Sequence, residues 1–186
     1  MKTNSVGTFL HRLYLTRLRK PASDRFLYRT ILAHKPCQIL ELGIDSLDRT
    51  GRMIKLALSW GISHPLRYVG VDLFEARETN SSRDTSLKFS YKTLRALSTN
   101  VQLVPGTPDS VLPRMCNHLG NFDFVLVSLD AIEKTSDRSW FFIPRITLPT
   151  SIVLVEEARG SSRSWKILSR PEIERKASAG LSKRAG

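Results

Sequence analysis

CQILELGIDSLDRTGRM, residues 37–53, is the stretch whose reading decides the fold. Residues 38–42 form a short, nearly continuous apolar run of strand length, closed by Glu41 and Gly43. From residue 47 the pattern changes period. Apolar residues recur at Met53, Ala57 and Trp60 and at Ile54 and Leu58, which predicts a helix over 47–60 with one buried face and Gly61 as its C-terminal stop. At the junction Gly43 carries no Cβ, so a ligand can come close to the backbone there. A pyrophosphate also needs uncluttered amides and no negative neighbours at a helix start, whereas this loop offers Asp45 and Asp48 within one turn. The loop therefore argues against NAD or ATP and suits a cationic ligand.

Four further apolar runs follow, at 67–74, 101–104, 122–129 and 151–155. FDFVLVSL and SIVLVEE are nearly continuous rather than alternating, as expected of strands covered on both faces. Between the runs, helical spacing recurs over 84–97 (Leu87, Tyr91, Leu94) and 109–119 (Leu112, Met115, Leu119), and more weakly over 136–146, where Pro144 intervenes. Alternating strands and helices imply right-handed crossovers. The fold class is α/β, a doubly wound, mostly parallel five-stranded sheet with helices on both faces. Two helices, 8–18 and 23–33, precede the first strand, the second capped by Ser23 or Asp24. Downstream, Ser169 with Glu172 has the spacing of a capping box, and Pro171 suits a first helical turn. The final AGLSKRAG reads as a disordered tail.

The chain has 186 residues, 41% hydrophobic and 25% charged, the composition of one globular domain with extensions. Residues 1–20 hold five basic residues and no acid, for +5; residues 159–186 hold eight basic and two acidic, for +6. The total is +12, so the segment 21–158 carries only +1, and the basic character sits at the ends. Such ends attract nucleic acid or anionic lipid, or are solvated tails. The organisation read from this is a basic helical extension at 1–22, the α/β domain at 23–158, and a basic helix and tail at 159–186. No apolar segment approaches the roughly 20 residues that cross a bilayer, and the N-terminus lacks a secretory core, so a cytoplasmic protein is expected. Cys37 and Cys116 read as buried free thiols without metal spacing.

Ligands of open α/β sheets bind beyond the C-terminal ends of the strands, where the strand order reverses. Those ends carry Glu41, Gly43, Asp45 and Ser46; Asp72; residues 105–108; Ser128 to Asp130; and Glu156 with Glu157. Asp72 stands where a carboxylate meets a ribose diol, although an acid there also serves as a helix cap. S-adenosylmethionine has no phosphate, carries a sulfonium and an ammonium, and offers such a diol to an acid.

ILELG, VGVDLF, VQLVPGTPDSVLP, FDFVLVSLD and SIVLVEE, in this order and spacing, resemble the class I S-adenosylmethionine-dependent methyltransferase family over residues 23–157. The resemblance implies that Glu41 and Gly43 belong to the cofactor loop, that Asp72 holds the ribose hydroxyls, that Gly106 and Thr107 lie near the adenine, and that Asp130 borders the catalytic pocket. The candidate cofactor-binding set is Glu41, Gly43, Asp45, Asp72, Leu73, Gly106, Thr107 and Ser128, with Asp130 as candidate catalytic residue and S-adenosylmethionine as cofactor. The sequence departs from the family in three places. The acid-x-Gly-x-Gly-x-Gly loop keeps only its first glycine; Asp45 and Leu47 replace the others, Leu47 either filling part of the methionine pocket or turning into the core. Ser128 replaces the first of the paired acids that hold a metal in one branch while Asp130 matches the second, so no metal is expected. The family's C-terminal antiparallel hairpin has no convincing counterpart in residues 160–186, so the sheet is expected to end at its fifth strand. A methyltransferase acting on a small molecule is the leading expectation. The alternative is a noncatalytic scaffold binding nucleic acid or a protein partner through the basic ends; the acidic loop and lone glycine disfavour a nicotinamide dehydrogenase.

Overall fold

The apolar run that opens the deciding stretch forms β1 (Gln38–Leu42), buried on both faces because a helix layer covers each. The computed structural model describes residues 5–60, 65–77, 86–97, 100–133, 137–160 and 162–182. Beside β1 lie β2 (Arg67–Asp72), β3 (Asn100–Pro105), β4 (Phe122–Val127), β5 (Thr147–Arg159) and β6 (Ser162–Leu168). Among the described residues these six form one sheet ordered β3-β2-β1-β4-β5-β6, parallel except for the antiparallel β5–β6 pair. The chain runs outward from β1 through β2 to β3, then returns to place β4 on the other side of β1. That reversal opens a crevice between the ends of β1 and β4.

The helices are α1 (Ser5–Leu13), followed by a π-helical turn (Tyr14–Leu18), α2 (Ala22–His34), α3 (Leu47–Leu58), α4 (Leu87–Arg95), α5 (Pro108–Leu119), α6 (Leu129–Glu133), α7 (Asp137–Trp140) and α8 (Arg170–Ser182). Strand alternation divides the apolar residues into two cores. Leu40, Leu42, Val69 and Val71 face Val111, Leu112 and Ile173 of α5 and α8. Ile39 and Tyr68 face Tyr28, Ile31, Met53 and Ile54 of α2 and α3. Leu47 packs against this second core, which settles the direction of its side chain. Short polar caps start the helices: the Ser46 hydroxyl accepts from the Arg49 amide at 3.4 Å, and the Thr107 hydroxyl from the Ser110 amide at 3.2 Å.

The expectation of five strands is corrected by β6, which pairs antiparallel with β5 and is the single strand among the described residues beyond 160. The segment SRSWKIL is an edge strand, and only Trp165 and Leu168 of it are buried, so its polar residues hide the period-2 pattern. β5 starts at Thr147, four residues before the apolar run, with an irregular register opposite 122–124. The start of α2 also differs. Pro21 occupies the cap position with no side-chain cap, and Asp24 lies buried in the first turn. Pro144 does interrupt the helical pattern of 136–146, which becomes α7 and a separate 3-10 turn, Ile143–Arg145. Cys116 is buried, but Cys37 is only partly so. Gly61, Asp84, Ser136 and residues 183–186 lie outside the described residues.

The Ser169–Glu172 pair ties α8 to the new strand. Glu172 accepts from the Ser169 amide at 2.8 Å and hydroxyl at 2.7 Å, and the Lys166 ammonium of β6 donates to its other oxygen at 2.8 Å. The Lys166 contact, then the Ser169 bonds, lower the Glu172 pKa from 4.5 to about 2. Because the folded value lies below the unfolded one, this anchoring is complete above the unfolded value and is lost as pH falls through the folded value. An NMR titration is expected to show the Glu172 carboxyl resonance moving near pH about 2, and back toward the ordinary carboxylate range in Lys166→Met.

Candidate functional site

A cavity of about 230 Å³ opens at the C-terminal ends of β1, β2, β3 and β4. Gly43, Asp45, Asp72, Leu73, Gly106, Thr107, Ser128 and Asp130 line it, together with Val71, Arg77, Pro108 and Ala131. Eight of the nine residues singled out from sequence thus meet in one place. The ninth, Glu41, does not line it. Period-2 alternation aims Glu41 beneath α3, onto the side of Ile39, where its carboxylate accepts from the Tyr68 hydroxyl at 2.7 Å and the Thr50 hydroxyl at 2.9 Å.

Two glycines shape the cavity wall. Gly43 has φ +84°, and a Cβ there would lie 2.0 Å from the Ser128 hydroxyl oxygen and 2.8 Å from the Ala131 Cβ. Its amide donates to the Val71 carbonyl at 2.8 Å, and the Ser128 amide to the Leu42 carbonyl at 2.9 Å, which draws the ends of β1, β2 and β4 together. Gly106 has φ +139°, and a Cβ there would meet the Ser110 hydroxyl oxygen at 2.6 Å. The Ser128 hydroxyl accepts from the Ala131 amide at 3.2 Å and so serves as the cap of α6.

Asp72 ends β2 almost fully buried, and its carboxylate is already engaged. One nitrogen of Arg77, Nη2, donates to Asp72 Oδ1 at 2.7 Å and Oδ2 at 2.6 Å and to the Ile44 carbonyl at 2.6 Å. The turn between them, Phe74–Ala76, brings Arg77 back over the strand end, with Phe74 buried at φ +49°. Arg77 escaped the sequence reading because it belongs to no periodic element; only its spacing of five residues from Asp72 hinted at a return contact.

Behind the loop, Arg49 of α3 enters the interior. Its Nη2 lies 3.6 Å from Glu41, and its Nη1 3.4 Å from Asp45 and 3.7 Å from Glu156. Burial would lower the Arg49 pKa, but Glu41, Glu156 and Asp45 outweigh it and hold the guanidinium above its ordinary value. Burial likewise raises Glu41 against the pull of Arg49, Tyr68 and Thr50, and pushes Tyr68 well above the usual phenol range. The spacing of Asp45 and Arg49, four apart at a helix start, was the available sequence signal. Arg163 of β6 adds a second bridge, 3.6 Å from Asp45, 3.6 Å from Glu156 and 3.4 Å from Asp130. The strand that sequence reading omitted therefore brings an arginine to the rim. The acids there are not a bare ring but are interleaved with cations.

Among the described residues, no group of three or more His, Cys, Asp and Glu side chains is placed to hold a metal ion. No helix of the described residues is long and apolar enough to cross a membrane.

This strand order, with one antiparallel edge strand and a crevice at the β1/β4 reversal, is the Rossmann-like fold of class I methyltransferases. An O-methyltransferase from Bacillus cereus, solved with SAH, matches with a TM-score of 0.54 at 15% identity, covering 97% of this chain and 76% of that one. A candidate protein-L-isoaspartate O-methyltransferase from Plasmodium falciparum, in complex with S-adenosyl-L-homocysteine, matches with a TM-score of 0.55 at 13% identity over 93% of this chain and 85% of that one. The O-methyltransferase TomG from Streptomyces achromogenes, in complex with SAM, matches with a TM-score of 0.50 at 11% identity, covering 99% and 79%. No protein-family model and no curated protein matches the sequence.

Proposed function

We propose that this chain binds S-adenosylmethionine in the cavity at the ends of β1, β2, β3 and β4 and transfers its methyl group to a small molecule. The observation that carries the reading is the convergence on that cavity of Gly43, Asp72 and Gly106, from three separate strand ends. The residues fit the nucleoside half of the cofactor. Asp72 offers a carboxylate for the two ribose hydroxyls, Leu73 and Pro108 offer apolar edges for a base, and the backbone at Gly43 and Gly106 leaves no side chain in the way. Asp45, at the rim, suits an ammonium. At about 230 Å³ the cavity is smaller than the roughly 300–1,000 Å³ of drug-sized ligand sites, and Arg77, which reaches from Asp72 to Ile44, takes up part of the difference.

When bound, the cofactor would supply an electrophilic methyl group on sulfur, with the thioether as leaving group. The protein's share is to align the two reactants. Asp130, half exposed at the rim beside Arg163, borders the side from which an acceptor reaches the reacting atoms. Strand β6, paired with β5 in the same sheet, completes the site through Arg163.

Titration calorimetry with S-adenosylhomocysteine tests the proposal. Binding is expected, weakened at least about tenfold by Asp72→Asn, because a charged hydrogen-bond acceptor contributes roughly 1.5–3 kcal/mol. Arg77→Ala is expected to tighten binding by about tenfold, since it frees the same carboxylate for the diol. Absence of heat at millimolar ligand in both the native chain and Arg77→Ala sinks the reading.

A further inference from the structure

The first helix turns most of its large apolar side chains away from the rest of the chain. On its body side, Arg12 donates to the Ser59 carbonyl at 2.8 Å and stacks 3.9 Å from the Trp60 ring, while Leu15 of the next turn is fully buried. The apolar residues face outward. Phe9 is 63% exposed, Leu10 56% and Leu18 66%, with Leu13 and Tyr14 between them also exposed. Spacings of four between 9 and 13, 10 and 14, and 14 and 18 place these side chains over one broad outward face of the continuing helix.

A second feature lies at the end of this face. An open groove between the π-helical turn and α2 is lined by Thr16, Arg17, Arg29, Leu32 and Ala33, two arginines and no acid. Arg29 is held in place by its Nε, which donates to the Thr16 carbonyl at 3.0 Å. Arg17 follows Leu13 by four residues, one turn along. Residues 1–20 carry +5 with no acidic residue, so the surroundings favour an anionic occupant.

We propose that α1 and the π-helical turn are an in-plane docking element for an anionic membrane surface. Phe9, Leu10, Leu13 and Leu18 enter the boundary between headgroups and acyl chains, while Arg17 and Arg29 take a lipid phosphate. The charge complements acidic lipids and the outward apolar face supplies the insertion that charge alone lacks. A nucleic acid backbone would use the arginines and gain little from exposed Phe9 and Leu10, which is why lipid is the better match. The element lies apart from the cavity at the strand ends, so it is independent of the methyl-transfer reading. It implies that the acceptor is met at a bilayer surface or that the protein is held there.

Flotation of the full chain with vesicles tests this. Vesicles of phosphatidylcholine containing about a third phosphatidylserine are expected to carry the protein up the gradient, and pure phosphatidylcholine vesicles are not. The double variant Phe9→Ser with Leu10→Ser is expected to weaken association at least about tenfold, since it removes the inserted apolar surface. Its circular dichroism and melting temperature should match the native chain, because both side chains are exposed. Arg17→Glu is expected to weaken association as well, and to reduce its dependence on salt. The proposal is overturned if neither vesicle binds, or if binding is indifferent to the Phe9/Leu10 change, which would leave charge attraction alone. It is equally overturned if the face proves to be a contact between two copies, seen as a dimer in sedimentation that the double variant dissociates without vesicle association, or if duplex RNA binds in place of the vesicles.

Discussion

Arg49→Met is expected to cost roughly 3–5 kcal/mol of folding stability, measured by urea unfolding at neutral pH, because it leaves the buried Glu41 carboxylate without its counterion and Glu156 with Arg163 alone. Glu41 and Glu156 are each 2% exposed, and Arg49 lies between them. The Glu41 carboxyl already sits above its ordinary value through burial, with the guanidinium the first of the influences that hold it down. Without Arg49 the folded-state value rises further. A carboxyl whose folded value exceeds its unfolded one is penalised above the folded value, and the penalty fades as pH falls toward the unfolded value of 4.5. The stability gap between variant and native chain should therefore be widest above the folded-state value and should narrow as pH falls toward the unfolded one. A gap that stays constant, or widens in acid, would show that Arg49 acts through packing against Trp165, whose ring lies 5.2 Å away, rather than through charge. Adding Glu41→Gln and Glu156→Gln to Arg49→Met should recover part of the loss, since amides leave no charge to compensate.

Gly43→Ala is the second severe substitution. Two costs combine: a left-handed backbone angle, about 1–2 kcal/mol for a residue with a Cβ, and overpacking against Ser128 and Ala131, about 1–3 kcal/mol. A loss of about 2–5 kcal/mol is the expectation, read as a lowered unfolding midpoint. Ser128→Ala in the same chain removes the contact at 2.0 Å but leaves the Ala131 and Ser128 Cβ contacts at 2.8 and 3.2 Å. Rescue should therefore be partial. Complete rescue would mean that the backbone angle costs little, and no loss in the single variant would mean that the β1–β4 junction is looser than its hydrogen bonds indicate.

The comparison of Glu41 with Asp72 shows where reading along the chain stops. Both are acids near the end of a strand, and both belong to the candidate cofactor-binding set, Glu41 in the loop and Asp72 on the ribose hydroxyls. Asp72 reaches the cavity; Glu41 is turned beneath α3, one step earlier than the loop and on the opposite side of the strand from Leu42. Which side faces the ligand depends on which helix covers which face, and the alternation pattern alone is blind to that choice because β1 is buried on both. Leu47 is the parallel case at the helix start. Its replacement of a family glycine left two directions open, and the second core takes it.

Elements of strong periodicity were legible. The five apolar strands, the break at Pro144 and the helices after the first and third strands follow from local chemistry, because apolar repeats act over neighbouring residues; their caps, Ser46 and Thr107, were not singled out as such. The β6 strand was not legible, since an edge strand buried through only Trp165 and Leu168 carries little hydrophobic pattern. Its formation is decided by the partner edge that β5 offers. Arg163 on Asp45, Glu156 and Asp130 is likewise a product of closure, a set of charge pairs between segments that approach only after the sheet is assembled; Arg77 returns to Asp72 through the turn Phe74–Ala76, which has no periodic pattern to reveal it. The linear code contains the α/β alternation, the first-loop glycine and the acids at the strand ends, all set by interactions within a few residues. The folded sheet alone determines which of those acids meet a shared hollow and which are already claimed by an arginine, because charge pairing depends on distances between strand ends that no local pattern encodes.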